Sequence, residues 1–219
     1  MEKQKIDYNR LMENQIAQFS NNSNINKPTL LLHACCAPCS SAVLERLSNF
    51  FDITIFYYNP NIHPQAEYER RRDELNSFIS NFPPAANISL IITDYNPEEY
   101  FSATNVNNEP ELKTESERGE RCRRCYQFRM KKAFEYACQN DFDYMTTTLS
   151  ISPHKDAEKI NSIGKELEQS ARNSSDNTKK IPAFLFSDFK KKNGFKRSLE
   201  ISAEYNLYRQ DYCGCVFSC

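Results

Sequence analysis

Long apolar runs are missing from this 219-residue chain. No stretch approaches the ~18 consecutive apolar residues of a membrane span, so a membrane partner is not expected. Residues 1–28 are polar, with Asp7, Asn9, Glu13, Asn21 and Asn24 where the apolar core of a secretory signal would stand. A cytoplasmic location is the expectation. Net charge is also wanting: 28 basic against 29 acidic residues leave −1, so global charge does not announce a nucleic-acid partner. No linker is long enough to separate domains, and no internal repeat is visible. Glycine is scarce, with four in all. None falls between His33 and Ser41, where ATP-binding α/β domains need backbone amides that closely approach phosphate. ATP is therefore not expected.

What is present is cysteine. Seven of the nine fall into three tight groups, Cys35-Cys36-x-x-Cys39, Cys122-x-x-Cys125 and Cys213-x-Cys215. A reducing compartment turns such clusters toward metal binding or catalysis and away from a disulfide framework. The odd total argues the same way, and a chain of this length buries a core without covalent staples. Cys138 lies in line with Phe134 on a predicted helix and reads as a small buried apolar residue. Cys219 has no argued role.

Hydrophobic patterning predicts one α/β domain over 29–219, preceded by an N-terminal helical and polar extension over 1–28. Strands are predicted at 29–33, 53–58, 88–93, 144–149 and 183–186, and helices at 40–50, 65–79, 123–139, 156–169 and 195–204. Residues 97–119 read as short helices in a loop, and 173–180 as a polar surface loop. The alternation implies a parallel sheet with helices on both faces. In such sheets function gathers at the carboxyl ends of the strands. His33 and Cys35-Cys36 follow the first strand, His63 the second, and His154 the fourth.

Adjacent cysteines are expected to diverge. Cys35-Cys36 then favours an iron–sulfur cluster over one tetrahedral ion. Cys36-x-x-Cys39 and Cys122-x-x-Cys125 each open a helix, whose N-terminus favours thiolate. Two pairs supply the four ligands of a [4Fe–4S] cluster. Cys213-Gly214-Cys215 can close a small strained disulfide that is easily reduced, or it can ligate metal. Two rivals stand beside this reading. A zinc-stabilised RNA-binding module would use C-x-x-C twice, although the pairs lie far apart and the thiols exceed four. A thioredoxin-like oxidoreductase would use Cys36-Ala37-Pro38-Cys39 alone and leave the other groups without a role. The radical-SAM spacing is absent, since residue 42 is Ala.

Arg70-Arg71-Arg72, Arg121/Arg123/Arg124 with Arg129/Lys131/Lys132, and Lys190-Lys191-Lys192 with Lys196/Arg197 form three basic clusters. Each alone reads as a solvated face. Two of the three lie near the cysteines in sequence, which points to a polyanion over the metal site.

The segments LLLHACCAPCSS (30–41), FYYNPNIHPQAEYERR (56–71), ERCRRCYQFRM (120–130), TTTLSISPHKD (146–156) and FKKKNGFKRSLEISAEYNLYRQDYCGC (189–215) closely resemble the QueH-type epoxyqueuosine reductases. These are cobalamin-independent enzymes of the last step of queuosine synthesis. The resemblance covers 29–217. It implies a fold related to the nucleotide-binding α-hydrolase (HUP-like) superfamily, a [4Fe–4S] cluster, a substrate tRNA carrying epoxyqueuosine, and a separate electron donor. Cys35, Cys36, Cys122 and Cys125 are the implied cluster ligands, and Cys213 and Cys215 the implied redox-active pair. An additional iron ion is a further implication. Cys39 would bind it, with Cys213 or Cys215, in competition with the redox-pair role.

Removing the epoxide oxygen takes two electrons and two protons. His63, His154, Asp156 and Tyr58 are candidate proton donors, whereas His33 reads as a core or supporting histidine. Arg121, Arg123 and Arg124 are expected to meet phosphate. Tyr57, Tyr58, Tyr126 and Phe128 are candidates to stack on a splayed base.

Overall fold

The computed structural model describes residues 6–20, 26–174 and 180–218. Five parallel strands form one sheet: β1 (Thr29–His33), β2 (Asp52–Tyr57), β3 (Ser89–Ile92), β4 (Tyr144–Thr147) and β5 (Ala183–Phe184), in the order β3-β2-β1-β4-β5. Among the described residues, seven α-helices accompany them: α1 (Tyr8–Ser20), α2 (Ala37–Leu47), α3 (Gln65–Asn81), α4 (Pro97–Thr104), α5 (Glu120–Gln139), α6 (Ala157–Ser174) and α7 (Gly194–Glu204). The α/β alternation read from the sequence is thus observed, and the arrangement is compatible with a HUP-like relation.

Strand side chains alternate between faces, and the core divides accordingly. Leu30, Leu32, Ile53 and Ile55 point to one layer, filled by Val43, Leu44 and Leu47 of α2, Leu75 and Phe78 of α3 and Ile201 of α7. Leu31, Phe56 and Met145 point to the other, filled by Met130, Ala133 and Phe134 of α5 and Ile160 and Ile163 of α6. Cys138 packs at the margin of this second layer.

Where it is described, the N-terminal segment packs against the α/β layers. Met12 of α1 is fully buried and Ile16 joins the first layer. The Gln15 amide donates to Phe184 O and accepts from Phe186 N, both at 3.0 Å, along the open side of β5.

Several boundaries differ from those expected. α2 starts at Ala37 rather than Ser40, because Pro38 suits a first helical turn. α5 starts at Glu120 rather than Arg123. The Glu115 carboxylate accepts from Glu120 N and Arg121 N, both at 2.7 Å. Strand β4 yields after Thr147 to a 3₁₀ turn over Thr148–Ile151, and β5 is only two residues long. α6 continues to Ser174, so Asn173 and Ser174 of the expected loop are helical. Residues 175–179, most of the Asn21–Asn26 segment, and Cys219 lie outside the described residues. Among the described residues no helix is long and apolar enough to cross a membrane.

Candidate functional site

The chain leaves β1 toward β2 and β3 on one side and later fills β4 and β5 on the other. The strand order therefore reverses beside β1, and α/β sheets open a crevice at such a point. Here the crevice is a cavity of about 420 Å³. Its wall includes Cys35 and Cys39 after β1, Pro153, His154 and Lys155 after β4, and Arg209 to Cys213 of the C-terminal segment. Beneath it, His33 and Thr147 pair in register and bond through Nδ1 and Oγ1 at 2.8 Å.

Cys35, Cys36 and Cys39 bring their three sulfurs within 4.8 Å of one another. The sulfurs of Cys35 and Cys36 are 3.8 Å apart. Their expected divergence is therefore not observed. Cys36, the extended residue before α2 (φ −171°), turns its thiol back toward Cys35. Gln210 donates to Cys36 Sγ at 3.2 Å, tying the C-terminal segment to this group. The three thiols share their protons. Hydrogen bonds from Cys36 and Cys39 hold the Cys35 thiol well below its ordinary range, while the bond to Cys35 is the largest influence that pushes Cys36 up to about 12. Of the three, Cys35 is the one whose thiolate form is favoured.

Cys122 and Cys125 do not join that trio. Both are buried on α5, and Cys125 shares a small apolar cluster with Tyr100 and Cys215, against which Cys213 packs. Cys213 and Cys215 are free thiols. The Tyr100 hydroxyl and Cys215 Sγ are 2.8 Å apart, and Cys213 Sγ lies 3.1 Å from Ser218 Oγ. A hydrogen bond from Cys215, supported by nearby Lys155, holds the Cys213 thiol well below its ordinary range. The same bond, with burial, drives Cys215 far up. The hairpin turns on Gly214 (φ +92°), a conformation that favours glycine.

Cations surround these sulfurs from inside the fold. Arg71 and Arg121 are 1% exposed and Arg129 is 3% exposed. Arg71 pairs with Glu67 at 2.6 Å and donates to Cys213 O at 3.2 Å. Arg129 donates to the Asn59 amide oxygen and is supported by the Cys125 sulfur, and its Nε has no hydrogen-bond partner. Lys155 Nζ stands 5.9 Å above the Tyr126 ring. Buried cations lacking carboxylates need other negative charge nearby. Thiolates holding an iron–sulfur or other metal centre supply such charge, so the residues present fit a thiolate-bound metal group.

The remaining expected site residues divide. His154 lines the cavity. His63 lies outside its wall, with Nδ1 3.4 Å from the Tyr95 hydroxyl, and burial lowers its pKa. Asp156 accepts from Glu158 N and Lys159 N at 3.1 Å and so caps α6. Tyr58 is buried and donates to Glu99. Arg121, expected to meet phosphate, is buried. It is enclosed and donates to Leu112 O at 2.6 Å. Arg123 and Arg124 are engaged by Glu120, and Arg124 also by Glu109. Tyr57 and Tyr126 are buried, whereas Phe128 is half-buried and packs against Tyr58. Phe195 and Tyr212, which the pattern did not single out, line the cavity instead. Arg71 and Arg129 were visible only as members of basic clusters, and Arg129 follows Cys125 by one helical turn.

Residues 30–219 match the family described as "Epoxyqueuosine reductase QueH". A protein of that name from Streptococcus pyogenes serotype M1 is 41% identical over 217 residues, covering 98% of this chain and 79% of its own length. One from Staphylococcus epidermidis is 36% identical over 220 residues, covering 100% and 87%. One from Thermotoga maritima is 32% identical over 193 residues, covering 87% and 90%. With thiols gathered at the reversal point of the sheet and likeness along nearly the whole length, this chain belongs to the epoxyqueuosine reductase QueH family of oxidoreductases.

Proposed function

We propose that the chain reduces epoxyqueuosine to queuosine in tRNA, using a [4Fe–4S] cluster and the Cys213–Cys215 pair. The observation that carries this reading is the cavity itself, where Cys35 and Cys39 from one chain segment and Cys213 from another share a wall. Cys35, Cys36, Cys122 and Cys125 would hold the cluster. Cys39, packed with Cys35 and Cys36, would complete the metal-binding set or hold an additional iron. A bound cluster supplies one-electron transfer at low potential.

The chain's own groups do the rest. Cys213 lines the cavity and is the more readily deprotonated of the pair, while Cys215, beside Tyr100, holds its proton more tightly. Closing this pair to a disulfide releases two electrons and, with Cys213 reacting as thiolate, the one proton of Cys215. Turning an epoxide into an alkene and water takes a second proton, which must come from the cavity wall. An external electron donor then restores the thiols. His154, on the cavity wall, would pass a proton to the leaving oxygen. With Arg123 and Arg124 engaged elsewhere, Lys155 and Arg209 are the wall cations suited to phosphate.

The test uses anaerobically reconstituted protein, dithionite and tRNA carrying epoxyqueuosine, with nucleosides read by mass spectrometry. Wild type should convert the nucleoside with loss of one oxygen. Cys122→Ala should lose the absorbance near roughly 400 nm that thiolate-bound clusters show. Cys213→Ser/Cys215→Ser should keep that absorbance and lose turnover. A colourless wild type holding about one zinc and converting nothing would favour the zinc-stabilised RNA-binding module.

A further inference from the structure

Arg129 combines three properties rarely found together. It is almost wholly buried, it lines the cavity beside the thiols, and among the described residues it has no carboxylate partner. Leaving a guanidinium so placed costs several kcal/mol unless opposite charge compensates it. Asn59 Oδ1 accepts from Nη2 but carries no charge, and Asn59 is itself held by its bond to Ala34 O at 2.9 Å. Nε is buried and has no hydrogen-bond partner. The groups that support the cation against burial are sulfurs from all three cysteine motifs: Cys125 one turn earlier on α5, Cys35, and Cys213.

The neighbouring cations are disposed differently. Arg71 is matched by Glu67. Arg121 is turned to the carbonyls of Leu112 and Lys113. Lys155 stands on a flexible stem over Tyr126. Among these cations, Arg129 alone is fixed inside the wall without a carboxylate or backbone carbonyl partner.

We propose that Arg129 is the positioning residue that sets the charge, and through it the reduction potential, of the metal centre these thiols hold. The inference rests on the cluster assigned above. A thiolate-bound cluster becomes more negative by one unit on reduction. A fixed cation inside a low-dielectric wall stabilises the reduced form more than the oxidised one. Removing the charge shifts the equilibrium toward the oxidised cluster, whereas removing only the guanidinium geometry does not.

The experiment is a potentiometric titration of anaerobically reconstituted protein with dithionite, read by the electron-spin signal of the reduced cluster. Wild type, Arg129→Lys and Arg129→Met are compared, with iron content determined for each. Arg129→Met should shift the equilibrium at least tenfold toward the oxidised form, about 59 mV more negative for a one-electron couple. Arg129→Lys should stay within about threefold of wild type, as a retained charge requires. Equal potentials for wild type and Arg129→Met would overturn the proposal. So would an Arg129→Lys shift as large as that of Arg129→Met, since packing and not charge would then be responsible. If Arg129→Met holds no iron, Asn59→Asp sets a carboxylate against the same guanidinium. A shift to more negative potential there supports the proposal and an unchanged potential overturns it. A wild type that assembles no cluster would refute the cluster assignment and this inference together, an outcome distinct from a wild type with a measurable but Arg129-independent potential.

Discussion

Acid should loosen this protein at His33. The imidazole is fully buried at the end of β1, with Nε2 3.2 Å from Tyr58 O and Nδ1 2.8 Å from Thr147 Oγ1. A carbonyl oxygen only accepts, so the proton sits on Nε2 and Nδ1 accepts from the Thr147 hydroxyl. That hydroxyl oxygen in turn accepts from Leu149 N at 3.2 Å, and both ring nitrogens are satisfied in the neutral form. Burial, with the nearby Arg129 cation, lowers the pKa from 6.5 to about 3. The folded value lies below the unfolded one. Between the two, the unfolded chain binds a proton that the native protein refuses. The contribution is therefore intact above pH 6.5 and is lost progressively as pH falls toward about 3. At about 1.4 kcal/mol per unit, the loss is about 2 kcal/mol at pH 5. It approaches about 4 kcal/mol near the lower limit. His33→Gln removes the titration while its amide can still donate to Tyr58 O and accept from Thr147. Urea unfolding of both proteins from pH 7.5 to 4.5 measures the difference, in which shared carboxylate effects cancel. The variant should lose about 2 kcal/mol less than wild type on going to pH 5. Parallel curves, or a His33 ring proton titrating near 6.5 by NMR, would refute the reasoning.

Two further substitutions probe how the thiols are held. Gly214→Ala places a Cβ at φ +92°, 3.0 Å from both Arg71 Nη1 and Ile62 Cγ1, and should cost about 1–3 kcal/mol in a denaturant titration. A loss below about 0.5 kcal/mol would show that the hairpin adapts freely. Glu115→Ala removes the acceptor of the first α5 amides and should cost about 0.5–2 kcal/mol, with faster hydrogen exchange at Glu120 and Arg121. Unchanged exchange there would mean that water replaces the cap.

The α/β order was readable because Leu30 to Leu32, Ile53 to Phe56 and Tyr144 to Thr146 are short β-type runs separated by helical periods. The helix starts were less readable. The cap of α5 comes from Glu115, five residues before the helix begins, and no local pattern announces a carboxylate reaching that far. The cysteine groups were plain as groups, but the closeness of Cys35 and Cys36 depends on one extended residue at the mouth of α2. The basic clusters misled for a related reason. Arg70 to Arg72 looks like one solvated face, yet Arg71 reaches Cys213 O 142 residues away. Arg129 likewise reaches Asn59, 70 residues away. Burial by such distant partners is invisible to any window along the chain.

The Gln15 side chain beside β5 has a consequence for the life of the protein in a crowded solution. A parallel sheet ends in unpaired backbone groups that another chain can adopt. At this end the primary amide of one glutamine presents a donor and an acceptor to Phe184 and Phe186, as a passing strand would. The helix that carries it is anchored by Met12 in the core, so the glutamine cannot drift away without unseating a buried side chain. The first helix thus caps this edge of the sheet, occupying two backbone groups that a further strand would otherwise use.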